Sequence, residues 1–362
     1  MVWFMRRATQ EPVPHDLGLW DATDRLLATM SPQAVRINRV LPLAARRLRR
    51  LGNEIPRDFA HEERATRTAM MILPSLLGRI RNAFDGPMLV IKGPEVAARY
   101  PDAARSFGDL DVLVEDARAA QAALIAAGFV EVPDPTDHFL GIHHLPPLVW
   151  PELPLKIEVH DRPKWPSELP TPLAQSLFDE AVPSFCEIDG VEAPAPHHHA
   201  LIVAAHAWAH TPLRDLRDLL DVAAIAGEAD ESELMRTARE WRIERMWNTT
   251  RSTIRWRLYG GTPPVAVSGW ARHLIGLREA TVLEGHVARW ASPFWLLPPV
   301  RALPVALRRV VKDVMPGEEM SWSMKARRLG RAMRHALRSK SEHGWKNEDS
   351  PPPTPLPRRA PD

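Results

Sequence analysis

Three acidic side chains on two short runs are the residues in this sequence best suited to joint chemistry. Asp109 and Asp111 alternate with apolar residues in Asp109-Leu110-Asp111-Val112-Leu113-Val114. Glu158 alternates likewise in Leu155-Lys156-Ile157-Glu158-Val159-His160. Side chains along a strand point to opposite faces in turn, so Asp109 and Asp111 project together, as do Lys156, Glu158 and His160. Adjacent carboxylates repel and are costly to desolvate unless a cation sits between them. A divalent metal meets that need, and Mg²⁺ held by a few carboxylates and substrate phosphates is the common form.

The preceding stretch suits a phosphate. Met88-Leu89-Val90-Ile91 is apolar and β-branched enough for a buried strand, and Lys92-Gly93-Pro94 interrupts it. Pro94 fits the first turn of a helix, which the sequence predicts over Glu95 to Tyr100, with Pro101 as its stop. A glycine bend that feeds a helix presents free N–H groups and a positive dipole end to an anion. Lys92 and Arg105 add positive charge nearby. Gly93, without a Cβ, allows a phosphate close to the backbone, although a plain turn also wants glycine. Arg105 has two readings, a phosphate contact or an orienting partner for the aspartates.

Together these residues resemble the nucleotidyltransferases of the DNA-polymerase-β superfamily. More narrowly, they are similar to an uncharacterised bacterial group with the order strand, Lys-Gly, helix, Arg, Asp-x-Asp. The matching residues are Lys92-Gly93, Tyr100-Pro101, Arg105, Gly108-Asp109-Leu110-Asp111 and Leu113-Val114. His143-His144, Glu158-Val159-His160 and the segment from His206 to Asp221 extend the likeness, which covers roughly residues 60–230. The wider superfamily has Gly-Ser where this chain has Lys92-Gly93, a change that the narrower group shares.

The resemblance implies transfer of a nucleoside monophosphate from an NTP to an acceptor, with release of pyrophosphate and dependence on Mg²⁺ or Mn²⁺. Asp109 and Asp111 would bind metal, and Glu158 would complete the site or act as base. Lys92 and Gly93 would hold the triphosphate, with Arg105 beside them. In-line transfer of this kind uses two metals about 3.5–4 Å apart, which is why a third carboxylate is wanted. The acceptor, a small molecule, sugar intermediate or protein, is left open. Two other readings stand beside this one: a non-catalytic nucleotide-binding or regulatory protein, and a basic module acting at a membrane or nucleic acid.

The elements that must position these residues follow from periodicity. Residues 1–85 are predicted helical, over 17–30, 34–51 and 61–84, with Pro32, Pro56 and Gly86 as punctuation. Residues 86–195 form the α/β core. It has a helix over 117–127, strands over 129–132, 144–150 and 155–160, and a two-residue hairpin at Asp189-Gly190. Residues 196–290 return to helices over 199–210, 213–227, 231–241 and 243–259. Residues 291–345 form a basic helical extension, and 346–362 a proline-rich, disordered tail. The expected fold class is α+β: a small mixed sheet with helices on one side, flanked by helical N- and C-terminal regions.

Composition narrows the partners. The 362 residues contain 45% hydrophobic and 25% charged side chains with a net charge of only +2, so no global attraction to nucleic acid is expected. Cys186 is the sole cysteine, which excludes an internal disulfide framework and fits a reducing cytoplasm. The start has no apolar segment long enough for a signal peptide, and no uncharged run approaches a spanning helix. The tryptophan-rich segment 290–300 and the basic residues that follow to 340 could make weak contact with a membrane surface.

Other clusters carry blander expectations. His206 and His210 lie four apart on one helix face, a metal-ligand spacing. No cysteine set or His-Glu-x-x-His accompanies them, so packing is the expectation, with substrate contact or zinc as alternatives. His197-His198-His199 reads as a polar helix entry, and His143 and His144 could approach the acceptor. Asp215, Asp218 and Asp221, interleaved with Arg214 and Arg217, read as a solvated ion-paired face, with Asp221 the candidate for structural pairing. Arg46, Arg47, Arg49 and Arg50 read as a solvated basic face. Cys186 has no neighbouring base to make it a nucleophile. Glycine-rich dinucleotide, Walker and nucleophile-elbow motifs are absent.

Overall fold

Apolar residues of both parities in the central strands require cover on two faces. The computed structural model describes residues 18–132, 145–151, 153, 155–315 and scattered positions from 323 to 330. Its strands are β1 (Met88–Val90), β2 (Asp109–Val114), β3 (Val130–Glu131), β4 (Leu148–Val149), β5 (Lys156–His160), β6 (Val182–Pro183) and β7 (Glu192–Ala193). They form one mixed sheet in the order β3-β4-β5-β2-β1-β7-β6. β2 runs antiparallel to β1 and parallel to β5, with Asp111 opposite Glu158.

Four helices precede the sheet: α1 (Leu19–Ala28), α2 (Pro32–Ile37), α3 (Leu41–Arg50) and α4 (Arg57–Ala83). α5 (Pro94–Ala97) and α6 (Ala117–Ala126) lie between strands, and α7 (Ala174–Asp179) precedes β6. After the sheet come α8 (Pro196–His210), α9 (Leu216–Ala226), α10 (Glu231–Glu240) and α11 (Glu244–Tyr259). α12 (Val265–Gly269), α13 (His273–Gly276), α14 (Val282–Ala291), α15 (Pro293–Leu296) and α16 (Pro299–Val314) follow. The class is α+β, as the sequence predicts.

Helices cover both faces, not one. Leu110, Val112, Ile157 and Val159 pack with Leu76, Leu77 and Ile80 of α4 and Leu124 of α6. Leu89, Ile91 and Leu113 point the other way, into a core shared with α8 and α9. That second core also takes Leu26, Leu43 and Phe59 from before the sheet and Trp247 and Trp270 from after it, so the two helical regions are packed together.

Two sequence expectations are corrected. The helix predicted over 34–51 is broken into α2 and α3, with Arg39 at φ 57° between them. Pro42 has no N–H to give the carbonyl of Asn38, which instead accepts from the Arg217 N–H at 3.3 Å. The Asn38 amide completes the junction by donating to the Leu277 carbonyl at 3.0 Å. The hairpin expected at Asp189-Gly190 is wider: Val182 pairs with Ala193 and Pro183 with Glu192. Ser184, just past β6, donates to the Glu95 carboxylate at 2.6 Å, which draws the chain away from pairing.

α16 is oriented apolar side out. Ala302 and Ala306 face the body, whereas Val300, Leu303, Leu307 and Val311 are exposed. Among the described residues no helix is long and apolar enough to cross a membrane. His143, His144 and the tail 346–362 lie outside the described residues, as does most of the basic run after 315.

Candidate active site

β2 and β5 present the acidic residues on the face covered by α8 and α9. Leu110 and Val112 occupy the alternate positions and are wholly buried, which fixes the register that turns Asp109 and Asp111 the other way. Asp111 and Glu158 are side by side because β2 and β5 are parallel at that register. The donor atoms of Asp111, Glu158 and His160 lie within 4.8 Å of one another. His160 Nε2 is 3.2 Å from Asp111 Oδ1 and 3.8 Å from Glu158 Oε2. The compact trio is therefore completed by His160, with Asp109 at the preceding same-face position of β2. The alternation in β5 already put His160 beside Glu158; its role was missed because only carboxylates were sought.

Asp111 is 1% exposed, and among the described residues its Oδ2 has no hydrogen-bond partner. A buried, unsatisfied carboxylate oxygen is costly unless a cation meets it. Burial resists ionisation of Asp111, but the His160 hydrogen bond and the Lys92 charge outweigh it and hold the carboxyl down at about 2. Burial and the Asp111 charge push the Asp109 carboxyl up instead. Such crowding of acid groups on one face is what a divalent ion relieves. These side chains fit a metal of the Mg²⁺ or Mn²⁺ class.

Lys92, at the end of β1, reaches His206 of α8, with Nζ 2.8 Å from Nε2. Burial and the Lys92 charge push the His206 pKa well down, so the neutral imidazole accepts from the ammonium. His210, one turn on, has Nδ1 3.4 Å from Lys164 Nζ. Each histidine thus faces a lysine ammonium, an arrangement that repels zinc rather than binding it.

Gly93 is required by the fold itself. It has φ 62°, and a Cβ there would stand 2.6 Å from the Asp109 carbonyl oxygen. The bend lies directly on the strand that carries the aspartates. α5 is a single turn, so few aligned peptide dipoles stand behind its start.

Arg105 is buried and grips Asp221 of α9 through Nε at 2.6 Å and Nη2 at 2.7 Å. Its Nη1 donates to the Gly93 carbonyl at 3.3 Å, and Tyr100 donates to Asp221 at 2.7 Å. The guanidinium therefore ties the glycine bend to α9. The face expected to be solvated is buried, with Asp215 at 4% and Asp221 at 2% exposure.

A cleft of about 250 Å³ opens beside Asp109, lined by Lys92, Arg39, Arg214, Arg217 and His210. Arg39 and Arg214 each bridge Asp215 and Asp218. Among the described residues the Nε of Arg217 is buried with no hydrogen-bond partner, and burial and the charges of Arg105 and Arg39 push its pKa down. A crowded, undercompensated cation next to two carboxylates suits an anion such as phosphate. Sequence reading missed this because the arginines come from α9, the residue before its N-cap and the α2–α3 junction, far from Lys92 along the chain.

No curated protein and no solved structure matches the chain. The sequence model of an uncharacterised nucleotidyltransferase family matches residues 32–258, from the start of α2 through the sheet to α11. That match covers more than half of the chain and includes every residue of the site, and the protein belongs to this nucleotidyltransferase family.

Proposed function

We propose that this chain is a metal-dependent nucleotidyltransferase of the polymerase-β-like kind. It moves an NMP from an NTP to an acceptor hydroxyl or phosphate and releases pyrophosphate. The observation that carries this reading is buried Asp111, whose Oδ2 has no partner among the described residues, clustered with Glu158 and His160 and two residues along β2 from the cleft-lining Asp109. Asp111, Glu158 and Asp109 would hold the Mg²⁺ or Mn²⁺. When bound, the metal acidifies the acceptor hydroxyl and neutralises charge on the leaving pyrophosphate. His160 orients Asp111 by holding Oδ1, and Oδ2 would be the atom that holds the metal. The alternative role for Glu158, less buried than Asp111, is to take the acceptor's proton in place of holding the metal.

Lys92 and Arg217 pair with the triphosphate, with Arg214 and Arg39 around them and the Gly93 bend beneath. Arg105 acts at one remove, by fixing that bend to α9. The acceptor enters through a neighbouring cavity of about 390 Å³, lined by Glu168, Trp208, His210, Arg309 and Asp313. His210 lines both spaces, which supports their use by two substrates of one reaction. A cytoplasmic setting, where NTP is available, belongs to the same proposal. So does weak membrane-surface contact by 290–340, supported by the outward Val300, Leu303 and Leu307 of α16.

Incubation with labelled NTP, Mg²⁺ or Mn²⁺ and a cell extract tests the reading. Label should move to an acceptor with the native chain and not with Asp111→Asn. Equal transfer by both, or nucleotide binding without pyrophosphate release, would overturn it.

A further inference from the structure

A second group of ligating side chains lies at the opposite end of α8. Pro196 opens that helix, and His197 and His198 occupy its first turn. Glu180 directly follows α7, and Glu233 sits in the first turn of α10. The imidazoles are 6% and 4% exposed, whereas the side chains of Glu180 and Glu233 are 51% and 57% exposed. The pair of histidines is thus sunk beneath two carboxylates that reach solvent.

Their polar atoms are poorly satisfied. His197 Nε2 is 3.3 Å from Glu180 Oε2 yet makes no hydrogen bond, and among the described residues His198 Nδ1 is buried without a partner. The two rings are 4.2 Å apart, so charging both would set like charges in contact. The His198 ring is held flat against Trp241, 4.9 Å away and tilted by 14°. A fixed ring with an unused nitrogen costs free energy in an apolar setting unless something accepts its lone pair.

One ligand atom from each of Glu180, His197 and His198 lies within 4.8 Å of the others. Ligands on a tetrahedron with bonds of about 2.0–2.1 Å stand about 3.3 Å apart, so modest rotation of the exposed Glu180 closes the set. Two imidazoles and one carboxylate suit a borderline cation better than Mg²⁺ or Ca²⁺, which prefer oxygen. Glu233 Oε2 lies 3.9 Å from His197 Nδ1, on the far side of the ring from Glu180. That is where an outer carboxylate orients a ligating histidine.

We propose that a Zn²⁺-type cation binds between Glu180, His197 and His198, with Glu233 steadying His197. The site is separate from the nucleotide cleft, since His206 lies two turns further along α8, about 12 Å at the helical rise. It joins the short link between α7 and β6 to the starts of α8 and α10, and so fastens the edge of the sheet to the helical layer. It does not depend on the proposed transferase activity.

The test uses the full-length protein stripped with chelator and carrying Asp111→Asn, which disables the other cluster. Zn²⁺ alone is titrated by calorimetry, Co²⁺ alone by visible absorption, and Tm is read with and without Zn²⁺. One equivalent should bind, Co²⁺ should give tetrahedral absorption bands, and Tm should rise. Adding His197→Gln should abolish all three, and Glu233→Gln should weaken affinity by about tenfold. Glu180→Gln is the safeguard, because its exposed side chain can change without unfolding the protein; it should also weaken binding by at least about tenfold. Absence of Co²⁺ bands in the Asp111→Asn protein, or unchanged Zn²⁺ affinity in Glu180→Gln and His197→Gln, would overturn the site.

Discussion

The two faces of the sheet are built from the same strands and meet different demands. On the α4–α6 face, Leu110, Val112, Ile157 and Val159 are enclosed by aliphatic side chains. Each such side chain contributes about 1.5–3 kcal/mol through burial alone, with little dependence on direction. On the α8–α9 face, Asp109, Asp111, Glu158 and His160 meet Lys92, His206 and the arginines of the cleft. There, among the described residues, a buried carboxylate oxygen and an arginine Nε have no hydrogen-bond partner. Such groups oppose folding until a ligand meets them, so the apolar face has to carry them. One strand thus does both jobs, separated only by its alternation.

Substitutions on the two faces should therefore fail in different assays, and the largest difference is expected at Asp111. Asp111→Asn should lower NMP transfer by about a thousandfold or more, about 4 kcal/mol of transition-state stabilisation, while the protein stays folded. Transfer assays beside denaturant unfolding check both halves of that statement. Ile157→Ala, on the opposite face of the adjoining strand β5, should do the reverse. Removing a wholly buried Ile costs about 2–5 kcal/mol of stability and lowers the midpoint of urea unfolding. The rate per folded molecule should hold. A transfer defect as deep as that of Asp111→Asn would mean that the two faces are not functionally separate.

How much of this division could be read from the chain depends on how local its causes are. β2 was legible because Asp109-Leu110-Asp111 alternates and then runs into the apolar Val112-Leu113-Val114. The Gly93 bend was legible too, although its cause is contact with the Asp109 carbonyl as well as room for a ligand. His160 stood in plain view on the right face of β5. The arginine cleft did not, because Arg217 approaches Asp109 only once α9 crosses the sheet, and sequence spacing says nothing of that crossing. Arg105 was visible as a cation near the aspartates, but its partner Asp221 is supplied by a different helix. The split of α2 from α3 depended on Pro42, whose effect on the Asn38 carbonyl is local and could have been foreseen.

The cleft offers a smaller, sharper test of the polar face. Arg217→Gln keeps a donor and much of the volume but removes the charge. It should raise KM for NTP by about tenfold or somewhat more, about 1.5–2 kcal/mol, and leave stability level or improved. Improvement is expected because Arg105 and Arg39 already repel the Arg217 charge. The ratio of KM to kcat effects, with thermal unfolding alongside, decides this. A loss of stability with KM unchanged would assign Arg217 to packing.

The smallest expected effect is on acid stability, and it separates the faces without any substrate. In chelator, Asp111 holds its proton less tightly when folded, at about 2 against an ordinary 3.8. Its contribution is present above the unfolded value and is lost as pH falls from about 4 towards 2. Asp109 has the opposite sign, because its folded carboxyl is pushed up: it binds more protons folded than unfolded, so its contribution is complete below the ordinary 3.8 and declines as pH rises above it. The two act on opposite sides of that value, so the Asp111 part stands alone below about pH 4, where it amounts to about 2 kcal/mol or less. Asp111→Asn removes one partner, so its unfolding free energy relative to the native chain should vary between pH 2 and 5. The Ile157→Ala difference has no nearby titrating cause on its own face and should stay flat. Matched pH series of urea unfolding for the three proteins give the answer, and equal slopes for both variants would show that Asp111 is not held ionised by its neighbours.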